Sequence, residues 1–308
     1  MPTPPLGAPG RIVLSELTKR YADVPAVNAL TFAVEPGRVT GFLGPNGAGK
    51  TTTLRILLGL AGATAGRATI GERAYRDLTR PVRHVGAVLD GSAAHRARTG
   101  RNHLRILCRA AGIPLARADE VLALVGLTAA ARRPVKGYSL GMHQRLGIAA
   151  AMIGNPRVLI LDEPANGLDP EGIRWLRELL RGLAEQGRTI LVSSHLLAEV
   201  QALADDVVII AAGRLVAQGS VDAVLDSLAR PERTLVRTPE PDRLAAELGD
   251  AASVTATDSG DLHVTGVDAA TIGEAATRAG IALHQLTTER PDLEDVFLEL
   301  TTGRAAIR

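Results

Sequence analysis

The stretch GPNGAGKTT, residues 44–52, decides the fold prediction. The defined positions of the pattern G-x-x-x-x-G-K-[ST] are filled by Gly44, Gly49, Lys50 and Thr51. The match lies between an apolar run, VTGFL, and a segment with helical periodicity, where glycines let backbone N–H groups turn toward a phosphate. Lys50 would then reach the β- and γ-phosphates, and the Thr51 hydroxyl would ligate Mg²⁺. The residues expected to contact the nucleotide are Gly44, Pro45, Asn46, Gly47, Ala48, Gly49, Lys50, Thr51 and Thr52.

A second acidic motif follows further along the chain, in the apolar run VLILDEP, residues 158–164. Two carboxylates at the end of a buried strand are costly unless they serve an ion or a reaction. Asp162 would hold Mg²⁺, and Glu163 would act as the general base that polarises the attacking water. The sequence therefore predicts that the chain binds and hydrolyses a nucleoside triphosphate, with Lys50 and Glu163 among the catalytic residues.

Short apolar runs alternate with helical patterns around these motifs, as in TILVSSH, LLAEVQALA and DVVIIAAG. This alternation predicts an α/β domain with a parallel sheet covered on both faces. After residues 220–233 the order becomes strand, helix, strand, strand, helix, strand, which is the ferredoxin-like split βαβ pattern. A last helix, PDLEDVFLELT, carries one apolar stripe. We expect a flexible leader (1–10), an ATPase domain (11–219), a linker (220–233) and a small α+β domain (234–308).

The segment YSLGMHQRLGIAAAM, residues 138–152, resembles the signature of the ATP-binding cassette (ABC) ATPases, which is a Leu-Ser-Gly-Gly-Gln run. The five positions are occupied here by Tyr138, Ser139, Leu140, Gly141 and Met142. The resemblance implies that Ser139 and Gly141 contact the γ-phosphate of ATP. An ordinary helix start capped by Ser139 is the alternative interpretation of the same residues.

The resemblance extends over residues 11–218 and implies a parallel-sheet core with an antiparallel β subdomain and a helical subdomain. It implies that Tyr21 stacks on adenine and that Asp169 is the carboxylate of the loop after the catalytic glutamate. His195 matches the switch histidine, a catalytic residue that contacts the γ-phosphate. Asp90 stands where the family usually has a glutamine that touches Mg²⁺, and a solvated loop position is its alternative interpretation.

In this family ATP lies between the loop of one copy and the signature of another, which implies an ATP-dependent homodimer. A single cassette followed by a tail ending ERPDLEDVFLELT resembles the ATPase subunits of bacterial drug and antibiotic exporters of the daunorubicin and bacitracin types. This implies a separate multi-spanning permease, contacted by residues 91–105, and a peripheral location on the cytoplasmic face of the cell membrane. The exported compound would be a drug, an antibiotic or a lipid-like molecule. An ABC importer subunit would share every catalytic residue, and a non-transport ABC ATPase is a further alternative.

Composition limits the remaining possibilities. With 46% hydrophobic residues the 308-residue chain can form substantial cores, and its net charge of +2 gives no basic field for nucleic acid. The single cysteine, Cys108, excludes an intrachain disulfide and favours a buried thiol in a reducing compartment. No segment approaches the roughly 20 apolar residues that a membrane-spanning helix needs.

Overall fold

A computed structural model describes residues 9–89, 94–194, 197–226, 233–257, 260–289, 293–294 and 297. The chain divides into two compact units, and the second unit begins at Leu225. Within the described ranges, no helix combines the length and the apolar character that crossing a bilayer requires.

The first unit contains strands and helices in alternation. Its strands are β1 (Ile12–Tyr21), β2 (Val24–Val34), β3 (Val39–Leu43), β4 (Ala65–Ile70), β5 (Val85–Val88), β6 (Val158–Asp162), β7 (Thr189–Ser194), β8 (Asp206–Ala211) and β9 (Arg214–Ser220). Its helices are α1 (Lys50–Leu57), α2 (Gly100–Ala110), α3 (Arg117–Leu124), α4 (Leu140–Ala151), α5 (Pro170–Glu185) and α6 (Leu197–Leu203). A further helix, α7 (Val221–Asp226), crosses the boundary into the second unit.

A six-stranded sheet in the order β5-β6-β7-β3-β8-β9 forms the centre of this unit. Its neighbouring strands are parallel except for β8 and β9, which are antiparallel. Every residue of β3, β6 and β7 is buried, as expected for parallel strands covered on both faces. The predicted parallel-sheet core is therefore confirmed.

The two faces of the sheet belong to two hydrophobic clusters, and β6 contributes alternate residues to each. Val158 and Ile160 pack with α1 and the three-stranded antiparallel sheet β2-β1-β4. Leu159 and Leu161 pack with the helices α2 to α5 on the opposite face. Side chains alternate in this way because successive residues of a strand point to opposite faces of the sheet. The sheet therefore lies between the predicted antiparallel β subdomain and the predicted helical subdomain.

Some elements differ from the sequence expectation. The strands β4 and β9 were not anticipated, because AGRATI and RLVAQGS are mostly exposed or half-buried and lack a continuous apolar run. Helix α7 occupies part of the segment 220–233 that was expected to be a linker. Most of the expected leader 1–10 and of the last helix, PDLEDVFLELT, lies outside the described residues.

The second unit has its own sheet and hydrophobic cluster. Its elements are β10 (Arg233–Arg237), α8 (Pro241–Leu248), β11 (Ser253–Ala256), β12 (Leu262–Thr265), α9 (Ala269–Ala279) and β13 (Gln285–Glu289). They follow the βαββαβ order read from the sequence, and the sheet order is β11-β12-β10-β13 with antiparallel pairs throughout. Val236, Val264 and Ile272 are fully buried in its core.

The contact of α4 with the edge strand β5 yields a stability prediction. A Cβ atom on Gly86 would overlap the Ala151 carbonyl oxygen and lie 2.9 Å from its carbon. We expect Gly86→Ala to lower the free energy of unfolding by about 1–3 kcal/mol, because α4 must move off the sheet. The control Gly182→Ala, which meets nothing within 4 Å in α5, should raise it by about 0.5–1 kcal/mol. Urea unfolding followed by Trp175 emission measures both variants, and equal effects would contradict the packing argument.

Candidate functional site

The glycine loop leads directly into α1, and the start of this helix has no side-chain cap. Gly49 immediately precedes the helix at φ 101°, and a Cβ atom on it would overlap the Ala26 carbonyl oxygen. A Cβ atom on Gly44 would lie 2.6 Å from the carbonyl oxygen of Ile210. Glycine is therefore required at both positions. The uncapped first turn offers backbone N–H groups and a positive helix end to an anion, which fits a phosphate group.

Lys50 lies at the base of the loop and is only 8% exposed. Its Nζ donates hydrogen bonds to the carbonyl oxygens of Gly44 at 2.6 Å and Pro45 at 3.4 Å. Burial lowers the pKa of its ammonium group, and the carboxylates of Glu163 and Asp162 oppose that shift. A cation held here by loop carbonyls is available to anionic phosphate oxygens, which would be stronger partners.

Asp162 ends β6 on the face of the sheet that α1 covers. Its Oδ2 accepts a hydrogen bond from Thr51 Oγ1 at 3.0 Å, and its Oδ1 accepts a short hydrogen bond from Ser193 Oγ. Asp162 is only 8% exposed, so these hydroxyls satisfy a carboxylate that would otherwise be costly to bury. A hydroxyl and a carboxylate in contact are oxygen donors of the kind that Mg²⁺ prefers, and Thr51 and Asp162 fit such an ion.

Glu163 follows at once, with its backbone in the left-handed region at φ 49°. This conformation costs a non-glycine residue roughly 1–2 kcal/mol, and such strain clusters at functional sites. The Glu163 amide donates to Ser193 Oγ at 3.0 Å and to the Ser193 carbonyl oxygen at 3.2 Å. These hydrogen bonds stabilise the strained backbone of Glu163. The chain therefore turns out of β6 immediately after Asp162.

Ser193 therefore joins the site residues, although no sequence motif marks it. It is fully buried, lies opposite Asp162 in the β6–β7 register and contacts both carboxylate residues. A signal was present in the sequence, because period-two counting puts Ser193 on the same face of β7 as Leu191. Leu191 packs in the cluster that includes α1, so Ser193 faces the glycine loop.

Tyr21 lies at the end of β1, where β1 and β2 form an antiparallel pair. Its ring is 52% exposed, and the Nζ of Lys19 lies 5.0 Å from the ring centroid. Ala26 of β2 contacts Gly49, so the paired strands β1 and β2 are anchored beside the glycine loop. An exposed aromatic ring in this position is suited to stacking on a flat base.

Ser139, Gly141 and Asp169 form a second group. They line a cavity of about 490 Å³, and no residue of the glycine loop is among the described residues of its lining. Ser139 Oγ accepts the Met142 amide at 3.2 Å at the start of α4, and Asp169 Oδ1 accepts the Gly172 amide at 2.8 Å at the start of α5. Both residues therefore cap helices, which agrees with the alternative interpretation of Ser139 and does not exclude contact with a ligand.

The structure therefore brings Lys50, Thr51, Asp162 and Glu163 together at the glycine loop. Ser139, Gly141 and Asp169 lie together in the separate cavity described above. His195 and Asp90 lie outside the described residues, so their expected roles stay predictions. The fold and the glycine loop with its acidic strand define a nucleotide-binding protein of the P-loop class.

Comparison with known families makes this class specific. Residues 27–166 match the family model described as ABC transporter, and residues 232–294 match a domain of unknown function, DUF8746. The uncharacterized ABC transporter ATP-binding protein YhcH of Bacillus subtilis is 35% identical over 94% of this chain and 95% of its own length. The chain belongs to the family of ABC transporter ATP-binding proteins and is an ABC-type, nucleotide-binding ATPase.

Two further relatives carry functional names. The daunorubicin resistance ATP-binding protein DrrA3 of Streptomyces coeruleorubidus is 34% identical over 94% of this chain and 95% of its own length. The bacitracin transport ATP-binding protein BcrA of Bacillus licheniformis is 44% identical over 66% of this chain and 68% of its own. The predicted resemblance to ATP-binding proteins of the daunorubicin and bacitracin types is confirmed.

Solved structures agree on the fold. The ATP-binding subunit of an ABC transporter is 28% identical, with a TM-score of 0.64 over 71% of this chain and 93% of that one. The cassette MJ0796, in a dimeric post-hydrolysis state with ADP and Pi, has a TM-score of 0.60 over 68% of this chain and 98% of that one. At 22% identity the second likeness establishes the fold alone.

The bridging position of Ser193 gives a prediction for catalysis. We expect Ser193→Ala to lower the kcat of ATP hydrolysis by about 10- to 100-fold, because Asp162 and the Glu163 turn lose their common support. Thr189→Val is the matched control, since Thr189 Oγ1 donates to the Gly10 carbonyl oxygen at the other end of the same strand. That variant should lose about 1 kcal/mol of stability and keep its kcat. Equal losses of kcat in the two variants would mean that Ser193 acts only through stability.

Proposed function

We propose that this chain is the ATP-hydrolysing subunit of a bacterial ABC exporter that expels a drug, an antibiotic or a lipid-like compound through a separate permease. The proposal rests on the match to DrrA3, a daunorubicin resistance protein. The matched region of this chain spans both of its structural units. An importer subunit would be expected to share the ATP site, so the match of the C-terminal part is what favours export.

At the ATP site, the glycine loop from Gly44 to Thr52 would bind the phosphates, and Tyr21 would stack on adenine. Thr51 and Asp162 would hold Mg²⁺, which supplies charge neutralisation of the phosphate oxygens when bound. Asp90 is proposed as a further group near the ion and His195 as a contact of the γ-phosphate, both from the sequence. Glu163 would accept a proton from the attacking water, and its fixed turn would orient the carboxylate.

The second half of each ATP site would come from another copy of the chain. Ser139 and Gly141 line a cavity that lacks the glycine loop in its described lining, which supports a site completed between two molecules. Asp169 would contribute from the same cavity. ATP binding would then stabilise a homodimer, and hydrolysis would release it.

The dimer would act on a multi-spanning permease, on which the chain would be peripherally bound at the cytoplasmic face of the membrane. Within the described residues no helix is long and apolar enough to span a bilayer, so the conducting path would belong to the partner. Nucleic acid is not a proposed partner, because 35 basic and 33 acidic residues nearly balance.

The proposed chemistry predicts a trapped dimer. Glu163→Gln should lower hydrolysis by about 10²- to 10⁴-fold, because the general base is lost while the phosphate contacts remain. We expect this variant to bind ATP and to elute as a dimer with ATP and Mg²⁺ in size-exclusion chromatography with light scattering. Lys50→Ala is the control and should lose ATP binding and the dimer together. Undiminished hydrolysis by Glu163→Gln would reject Glu163 as the base.

The proposed partner is tested with the same trapped variant. Tagged Glu163→Gln, added with ATP and Mg²⁺ to solubilised membranes of the organism that encodes it, should retain a polytopic membrane protein identifiable by mass spectrometry. The Lys50→Ala variant should retain less of that protein, because it cannot form the ATP-bound dimer. Recovery of an ATP-dependent homodimer with no membrane protein would keep the ATPase and reject the exporter.

A further inference from the structure

Two loops of the first unit meet at the second group of site residues. We name residues 138–142 the signature segment and residues 166–169, which follow Glu163, the aspartate loop. Both loops line the cavity of about 490 Å³ described above. Leu140, in the signature segment, occupies a position where the signature run of the family has glycine.

The Leu140 side chain lies over Gly167 of the aspartate loop. A Cβ atom on Gly167 would overlap Leu140 Cδ2 and would lie 2.6 Å from Leu140 Cγ. Gly167 itself has φ 76°, in the left-handed region. The Leu140 side chain is 64% exposed, and a larger residue at position 167 would have to displace its terminal atoms from this contact.

The reverse contact is present as well. Leu168 of the aspartate loop reaches back toward Gly141, where a Cβ atom would lie 3.4 Å from Leu168 Cδ2. Leu168 and Met142 also pack against the same hydrophobic cluster. Each loop thus contributes one leucine that covers a glycine of the other, and neither loop can shift alone without breaking a contact.

The helices that begin at these loops are joined a further turn along. The Arg145 guanidinium of α4 lies 4.1 Å from the ring centroid of Trp175 on α5. Arg145 Nη1 also donates to the Val125 carbonyl oxygen at 3.2 Å. This cation–π contact fixes the two helices relative to each other behind the loops.

We propose that Leu140 is a positioning residue for ATP hydrolysis. Its contact with Gly167, together with that of Leu168 with Gly141, makes the signature segment and the aspartate loop one surface that meets the second copy as a unit. The inference rests on the ATP-dependent homodimer of the proposed function. A glycine at position 140 would have no side chain to cover Gly167, so the leucine supplies a contact that the signature run lacks.

A double-mutant cycle of Leu140→Ala and Gly167→Ala tests this role. Leu140→Ala removes the atoms that would overlap the new Cβ and keeps Leu140 Cβ, which would lie 3.7 Å away. We expect Gly167→Ala alone to lower kcat about 10-fold or more, because the new side chain displaces Leu140 and ends its contact with the aspartate loop. The double variant should recover to within about threefold of Leu140→Ala, since the overlap is gone.

Two measurements separate positioning from other effects. The affinity of each of the four proteins for a fluorescent ATP analogue, measured at a protein concentration low enough to keep it monomeric, should stay unchanged, because the glycine loop is not part of this contact. Gly187→Ala is the matched backbone control, with φ 83° and nothing within 4 Å. It carries the same left-handed strain without Leu140 and should keep the kcat of the natural chain.

The proposal is overturned if Gly167→Ala lowers kcat equally in the natural chain and in the Leu140→Ala variant. Such a loss would come from backbone strain at position 167, which does not depend on Leu140. Urea midpoints from Trp175 emission, measured on the same four proteins without nucleotide, report the Leu140–Gly167 contact itself. Additive midpoints would also overturn the proposal. If the natural chain binds ATP and never dimerises, the proposed function and the positioning role are both refuted. In that case non-additive urea midpoints would still establish the Leu140–Gly167 contact.

Discussion

The arrangement of the proposed ATP site depends on the hydrogen bond between the Ser193 hydroxyl and the Asp162 carboxylate. Asp162 is nearly buried, and it needs this donor and Thr51 to remain in a hydrophobic surrounding. The same serine accepts the amide of Glu163, whose backbone conformation is unfavourable for a residue with a side chain. The buried Ser193 hydroxyl therefore links β7 to β6, and Asp162 extends the link to Thr51 of α1. The same hydroxyl holds the backbone of Glu163, the residue that we propose as the base.

Sheet geometry explains why such a link can form. In the parallel sheet the carboxyl ends of β6, β7 and β3 lie at one edge, so the acidic pair, Ser193 and the glycine loop are neighbours. Alternate residues of β6 pack in two different hydrophobic clusters. One cluster includes residues of α1, and the other includes residues of α2 to α5. Asp162 of β6 and Ser193 of β7 have the same parity as Ile160 and Leu191, so both polar side chains lie on the face that α1 covers.

Much of this could be predicted from local pattern. The glycine loop and the acidic strand are contiguous motifs, and their spacing alone identified Lys50, Thr51, Asp162 and Glu163. Ser193 was missed because its importance comes from pairing with another strand, which no local motif records. The contact of Leu140 with Gly167 could not be predicted for the same reason, since the two residues are distant in sequence. The sequence showed that Leu140 replaces a glycine of the signature run, but it did not show which residue the leucine contacts. The strands β4 and β9 were missed because their burial is slight.

The two units have separate hydrophobic clusters, and this has a consequence for how the protein can evolve. Residues such as Val236, Val264 and Ile272 pack with one another and belong to neither cluster of the ATPase unit. A substitution at one of these positions changes the packing within that small core, so a second substitution among the same residues can compensate for it. The sequence of the second unit can therefore drift through paired changes inside its own cluster.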